Sequence, residues 1–408
     1  MRIALAAVVV LAGLAIGALI YKQDRTGSIY HPHRPFTPQA PAKLPTTGQD
    51  RFSWPLYGYT PDHTRFYPAP ERVRPPFRLV WAHDFGTLLE FPPVLRGDHI
   101  FQLGDNGVLN ATDKRTGGTF WSRKIGSLSA SSPAVIGRTV YATVLEGPSG
   151  GRVYALDYGN GKTRWYRDLP AASESSPMVY GGRVYLGTQS GEVYALNARN
   201  GSVIWTYHAA GAVKASPTYK EGVLYFGDYS GQVQAVRASD GHRKWVSGSE
   251  GALLGSGTFY STPAVIYGRV FLGNTDGRIY AYDASTGRLD WAVQTGTYVY
   301  ASPAVTDAPG LGPTIYLGSY DGTFYALAAQ SGHIEWRFNA GGRISGSATI
   351  IGRTVYFSDL GDRKVYGLGI STGRVDFQWY SGSFDPVISD GEHIYLTGYN
   401  GLYDLAPR

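Results

Sequence analysis

The chain has 408 residues, no cysteine, 54 glycines and 31 tyrosines, with 43% hydrophobic and 17% charged residues, so it can bury a large core and is not a disordered polymer. Zero cysteine excludes disulfide frameworks, thiolate metal sites, cysteine nucleophiles and a lipidated N-terminal cysteine. The net charge of +6 is scattered one or two basic residues per segment, which describes a solvated surface and not a nucleic-acid groove.

Residues 3–21 form one apolar run, preceded by Arg2 and followed by Lys22, Asp24 and Arg25. Such a run is long enough to cross a hydrocarbon core of about 30 Å as a helix, and longer than the apolar region of about 7–15 residues in a secretory signal. Ala18 is followed by Leu19, Ile20 and Tyr21, so no Ala-x-Ala cleavage site leads into polar sequence. The expectation for residues 1–22 is a signal anchor, a single-pass transmembrane helix with the rest of the chain on the extracytoplasmic side. The alternative is a cleaved signal peptide and a secreted protein. In residues 23–51, Pro32, Pro35, Pro38, Pro41 and Pro45 recur among Thr, Ala, His and Gln. That composition favours extended polyproline-type backbone and reads as a semi-rigid linker.

Residues 52–408 are dominated by internal repetition. In six segments a small residue stands ten positions before a tryptophan and a glycine four before it. The pairs are Ala111 and Trp121, Ala155 and Trp165, Ala195 and Trp205, Ala235 and Trp245, Ala281 and Trp291, and Ala326 and Trp336. A seventh copy keeps the spacing but carries Phe377 at the aromatic position. Five of the copies are preceded by a small-residue, hydroxyl and proline step (SSP, ASP or STP) and a second β-rich run. In the third copy four short strands are expected, at 176–179, 183–187, 192–197 and 202–207, separated by turns at Gly181-Gly182, Ser190-Gly191 and Asn200-Gly201. Successive aromatic positions lie 40 to 46 residues apart. Four antiparallel strands at that period describe a propeller blade, which buries its faces only by stacking on neighbours.

Seven complete units run from about residue 88 to 380, and an eighth begins at Phe384 and ends without its outer strand. The missing strand is available at 77–81, so the N-terminal strand is expected to complete the last blade and close the ring, removing two sheet edges. The reading is all-β: an eight-bladed β-propeller of four-stranded antiparallel blades.

These repeats resemble the PQQ-like (pyrroloquinoline-quinone-type) β-propeller family, whose Ala-x-Asp-x-x-Thr-Gly-x-x-x-Trp pattern is matched best by Ala281, Asp283, Thr286, Gly287 and Trp291. The leader with Trp54, Gly58, Thr64, Arg65 and Phe66 is similar to one found in that family, and the resemblance covers about residues 52–408. It implies that Trp81, Trp121, Trp165, Trp205, Trp245, Trp291 and Trp336, with Phe377 in the seventh unit, dock structurally between blades. The family contains quinoprotein dehydrogenases and non-catalytic scaffolds, among them an outer-membrane assembly lipoprotein. Its enzymes carry long insertions, a neighbouring cysteine pair, and carboxylate and Asn ligands for calcium. Here cysteine is absent and the longest insertions, at 144–151, 250–258 and 307–313, are modest.

The resemblance therefore points to a non-enzymatic, membrane-anchored scaffold that binds another envelope protein, with no catalytic residue, metal or cofactor. PQQ and calcium enter only under the alternative of a dehydrogenase, and a small-ligand sensor is a third reading. The candidate ligand site is the central funnel, where Glu90, Glu174, Lys214, Tyr260 and Tyr300 each stand three positions before the shared proline and Arg343 belongs to the matching loop of the seventh unit. The turns between second and third strands open on the same face and add Asp105, Gln189, Asp228, Asn274, Asp276, Tyr320 and Asp321. Glu90 and Glu174 with Lys214 suit a cation or polar ligand; a polar ring lining a watery channel is the competing reading.

Overall fold

The computed structural model describes residues 27–30, 36, 53–146, 150–249 and 257–408. The anchor expected at 1–22 and most of the linker lie outside these residues. Among the described residues no helix is long and apolar enough to cross a membrane.

Eight antiparallel sheets follow one another around a ring. Blade 1 opens with Val94–Arg96 and blade 7 closes with Val375–Tyr380. In blade 3 the strands are Met178–Tyr180, Arg183–Gly187, Glu192–Asn197 and Val203–His208. The two middle strands have the bounds expected from sequence. The inner strand starts two residues late, beyond Pro177, and the outer one shifts by one. Middle strands are buried on both faces because each blade stacks on its neighbours, whereas outer strands alternate with solvent.

Blade 8 consists of Gly382–Ser389, Ile394–Gly398, Gly401–Pro407 and, on its outside, Phe77–Asp84. The last pairing sets Leu79 opposite Leu405, Trp81 opposite Asp404 and Ala82 opposite Tyr403, so the beginning of the propeller seals its end.

The spacing of the repeat has a local cause. In blade 3, Ala195 lies directly opposite Trp205, and the register shifts between Ala195 and Leu196 through a β-bulge. The same shift follows Ala111, Ala155, Ala235, Ala281, Ala326 and Gly367. From there the indole reaches the next blade. Trp165 lies against Gly201, whose φ is +71°, and a Cβ on that glycine would stand 2.6 Å from the ring. The indole N–H of Trp165 donates to the Ala198 carbonyl at 3.0 Å. Trp81, Trp121, Trp205, Trp245, Trp291 and Trp336 each meet the corresponding glycine and carbonyl of the following blade. Phe377, which has no N–H to donate, instead packs edge-on against Phe77 at 5.6 Å and Tyr356 at 6.0 Å.

A belt of hydroxyls joins the inner strands and explains the hydroxyl residue before the shared proline in blades 2 to 6. The Ser132 N–H donates to Ser176 Oγ at 2.9 Å, Ser216 N–H to Thr262 Oγ1 at 3.2 Å, Thr262 N–H to Ser302 Oγ at 3.0 Å, and Ser302 N–H to Ser347 Oγ at 3.0 Å. Buried amide groups need such partners.

Inner strands also have a free edge toward the axis, and the leader covers it. Ser53–Trp54 pairs with the inner strand of blade 1, and Phe66–Tyr67 runs parallel to Thr349–Ile351 of blade 7. Between them, the carbonyls of Pro55, Pro61, Asp62, Thr64 and Arg65 accept N–H bonds from Val135, Tyr219, Val265, Val305 and Ile350, one per blade. The leader thus crosses the axis and closes the channel at the far ends of the inner strands. Trp54, Leu56, His63 and Arg65 are buried in it, and burial together with the Arg65 charge holds the His63 imidazole neutral, far below the usual histidine range. The watery channel considered from sequence is therefore a blind funnel.

The linker segment also contributes. Ile29–Tyr30 pairs antiparallel with Ala292 and Trp291 on the outer strand of blade 5, Leu289–Gln294.

Candidate functional site

The open mouth of the funnel lies where the chain enters each inner strand and turns between each second and third strand. Glu90, Glu174, Lys214, Tyr260 and Tyr300 line one cavity of about 50 Å³, which Tyr57 of the leader closes from below. The carboxylate of Glu174 is its polar centre, accepting hydrogen bonds from Lys214 Nζ at 2.8 Å and Gln189 Nε2 at 2.6 Å. Tyr260 OH reaches its other oxygen at 3.5 Å. Lys214 therefore pairs with Glu174, and Glu90 lines the same cavity. Burial first, then the charges of Glu174 and Glu90, pushes the Tyr260 hydroxyl well above its ordinary value, so it stays protonated and donates. On the blade 1 side burial pushes the Asp105 carboxyl up to about 6, partly offset by a hydrogen bond from the Glu90 backbone.

Arg343 does not line this cavity. Its guanidinium lies 5.3 Å over the Tyr320 ring, at the end of an aromatic arc. The arc begins with Lys214 Nζ 5.2 Å over Tyr229, passes to Tyr260 at 6.3 Å and Tyr300 at 6.0 Å, and reaches Tyr320 at 5.3 Å. Tyr298, 49% exposed, caps it within 5.9 Å of Tyr300 and 6.5 Å of Tyr320. The Tyr260–Tyr300, Tyr300–Tyr320 and Tyr298–Tyr300 pairs meet edge-on, an arrangement that aromatic rings prefer. The arc spans blades 4 to 7 and leaves a rigid, half-apolar face with a cation at each end.

Other turn residues read as funnel candidates serve the turns themselves. Asp228 is fully buried and accepts from Ser230 N–H at 2.9 Å and Gln234 Nε2 at 2.6 Å. Asp276 accepts from the Arg278 N–H at 2.9 Å and Asp321 from the Thr323 N–H at 2.7 Å. Asn274 Oδ1 accepts from the Asp276 N–H at 2.8 Å. Among the described residues no three His, Asp or Glu side chains gather as a metal site. Sequence reasoning missed Tyr57, Tyr229 and Tyr298. Tyr229 directly follows Asp228 in the same turn as Tyr320 of blade 6, so turn alignment carried the signal for it; Tyr57 lies in the non-repeating leader.

A family model described as outer membrane protein assembly factor BamB matches residues 78–245, 208–310 and 302–397. No curated protein matches the sequence. Among solved structures, BamB from Moraxella catarrhalis is 18% identical, with 81% of this chain and 98% of that chain covered at a TM-score of 0.66. A europium-containing methanol dehydrogenase is 14% identical over 87% of this chain and 98% of its own, at 0.72. The quinohemoprotein alcohol dehydrogenase from Comamonas testosteroni is 13% identical over 87% and 80%, also at 0.72. At such identities the likeness to these structures speaks to the fold alone.

Proposed function

The chain belongs to the PQQ-like β-propeller family of the outer membrane protein assembly factor BamB, and on that premise we propose that it is a non-enzymatic protein-binding scaffold of the cell envelope. In this reading the apolar segment at 1–22 anchors it in a membrane and the propeller stands on the extracytoplasmic side, where its funnel mouth meets another envelope protein. The observation that carries the reading is the arc from Lys214 through Tyr229, Tyr260, Tyr300 and Tyr320 to Arg343. Tyrosine and arginine, rigid and amphipathic, are the side chains that concentrate binding energy at protein interfaces. The ring beneath supplies the stiffness: eight sheets, plugged and sealed, hold the arc in place before a partner arrives, which lowers the ordering cost of association.

The dehydrogenase-like neighbours raise a second reading, in which the funnel holds a quinone and calcium. The residues present do not fit it. A cavity of about 50 Å³ is far below the roughly 300–1,000 Å³ of pockets that enclose organic ligands, and the Glu174 carboxylate is already engaged by Lys214 and Gln189. Equilibrium titration of the full detergent-solubilised chain with PQQ and calcium tests the two readings. The scaffold predicts no saturable quinone absorbance and no dye reduction with alcohols. Stoichiometric quinone binding that Glu174→Gln abolishes would install the enzyme instead.

A further inference from the structure

The repeat offers the same groove at successive blade seams, and at one seam the chain fills it itself. Beside blade 5, Ile29–Tyr30 adds a strand to the outer edge. Six residues beyond Tyr30, the Phe36 ring seats 5.4 Å from Tyr267 with the Arg269 guanidinium 5.4 Å over it. Arg269 lies 2.8 Å from Asp290 of the outer strand, and the two side chains are 2% and 1% exposed. Strand addition plus an aromatic anchor is a known way for extended peptides to bind a sheet edge.

Alignment of the repeats places Arg183 where blade 5 has Arg269, Tyr185 where it has Phe271, and Ile204 where it has Asp290. At the seam between blades 3 and 4 the groove is an open cavity of about 450 Å³, whose lining includes Tyr180, Arg183, Tyr219, Glu221, Arg237 and Lys244. Tyr180 and Tyr219 stand 4.2 Å apart as one wall. Among the described residues no strand pairs with the outer edge of blade 3. Its Val203 and Ile204 are 43% and 42% exposed, whereas Asp290, at the position in blade 5 that matches Ile204, is buried.

We propose that the seam between blades 3 and 4 binds an extended segment of a partner protein, paired to the outer strand Val203–His208, with an aromatic side chain seated between Tyr180, Tyr219 and Arg183 and a carboxylate that meets the Arg183 and Lys244 charges. The carboxylate follows from the substitution within the repeat. Blade 5 sets Asp290 against its arginine, whereas blade 3 carries Ile204 there, and at this groove Arg183, Arg237 and Lys244 outnumber the single acid Glu221, so the charge balance favours an acidic ligand. This groove opens at the turns between first and second strands, at the opposite ends of the strands from the funnel mouth. It stands or falls independently of the scaffold reading.

The test uses the full chain and a synthetic peptide copying residues 27–37, with aspartate in place of His31 and a photoreactive benzoylphenylalanine in place of Phe36. Fluorescence anisotropy is expected to show saturable binding. The Arg183→Gln, Tyr219→Ala double variant, melting like the parent, is expected to lose at least tenfold in affinity. Restoring histidine in the peptide is expected to weaken binding by a smaller factor. Illumination is expected to label residues 180–185 or 219–223. Absence of saturable binding, equal affinity for the double variant, or labelling confined to the seam between blades 5 and 6 would overturn the proposal.

Discussion

Replacing Trp81 with alanine is expected to lower the stability of the whole propeller by about 3–5 kcal/mol, the cost of truncating a buried tryptophan. Trp81 sits in the strand that closes the ring. Its indole N–H donates to the Lys114 carbonyl at 2.9 Å, its ring lies against Gly117 of blade 1, and its strand pairs with the last strand of the chain. One side chain thus ties blade 8 to blade 1 at the point where the two ends of the propeller meet. Because the parent has no cysteine, the same junction can be stapled. Ala82→Cys with Tyr403→Cys places two thiols directly opposite one another. Their oxidation is expected to return about 2–4 kcal/mol to the Trp81→Ala variant. Moving one partner by a residue, with His83→Cys in place of Ala82→Cys, turns it to the other face of the sheet and is expected to prevent cross-linking. Urea midpoints of the oxidised and reduced variants give both numbers. An unchanged midpoint for Trp81→Ala, or equal cross-linking of both pairs, would show that the closure differs from the one described.

Gly201→Ala is expected to cost about 2–5 kcal/mol, and Gly137→Ala distinctly less, even though both glycines have positive φ. At Gly137, where φ is +59°, an added Cβ meets no atom within 4 Å, so the substitution bears only left-handed backbone strain of about 1–2 kcal/mol. At Gly201, with φ of +71°, it also strikes the Trp165 ring at 2.6 Å, and that ring is held by its hydrogen bond to Ala198. Overpacking of this kind adds about 1–3 kcal/mol. Chemical unfolding of the two variants measures the difference directly. Equal losses would mean that the blade seam yields to the extra methyl and that the tryptophan does not fix the distance between blades.

Much of this architecture was legible in the sequence because each blade repeats one local solution. The Ala, Gly and Trp spacing reports a bulge, a left-handed turn and an indole bridging to the next blade, and all three act within about forty residues. Closure was legible because the eighth unit supplies three strands and lacks its outer one, while one strand at 77–81 is left over before the first unit. The plug was not. Residues 53–67 have no period, and their partners are far away in sequence, as with Tyr57 OH and Ser347 Oγ, 290 residues apart and 3.1 Å distant. Without it the funnel reads as an open channel. The docking of Ile29–Tyr30 and Phe36 was equally hidden, since two paired residues inside a proline-rich stretch leave no alternation to detect. At the funnel mouth, counting back from the shared proline found Glu174, Lys214, Tyr260 and Tyr300. It could not show that Lys214 and Gln189 converge on Glu174, nor that Arg343 turns away to lie on Tyr320. Those are choices made by side chains across blade seams.

The central proposal is that the aromatic arc is the surface for a protein partner. Photo-crosslinking in intact cells tests it most directly, with benzoylphenylalanine placed at Tyr298 in the arc or at Tyr166 on the rim of blade 2, which is 57% exposed. A discrete adduct with one envelope protein from position 298, lost when Tyr320→Ala and Arg343→Ala are added and absent from position 166, is the predicted result. No adduct at 298, or the same adducts from both positions, would contradict it.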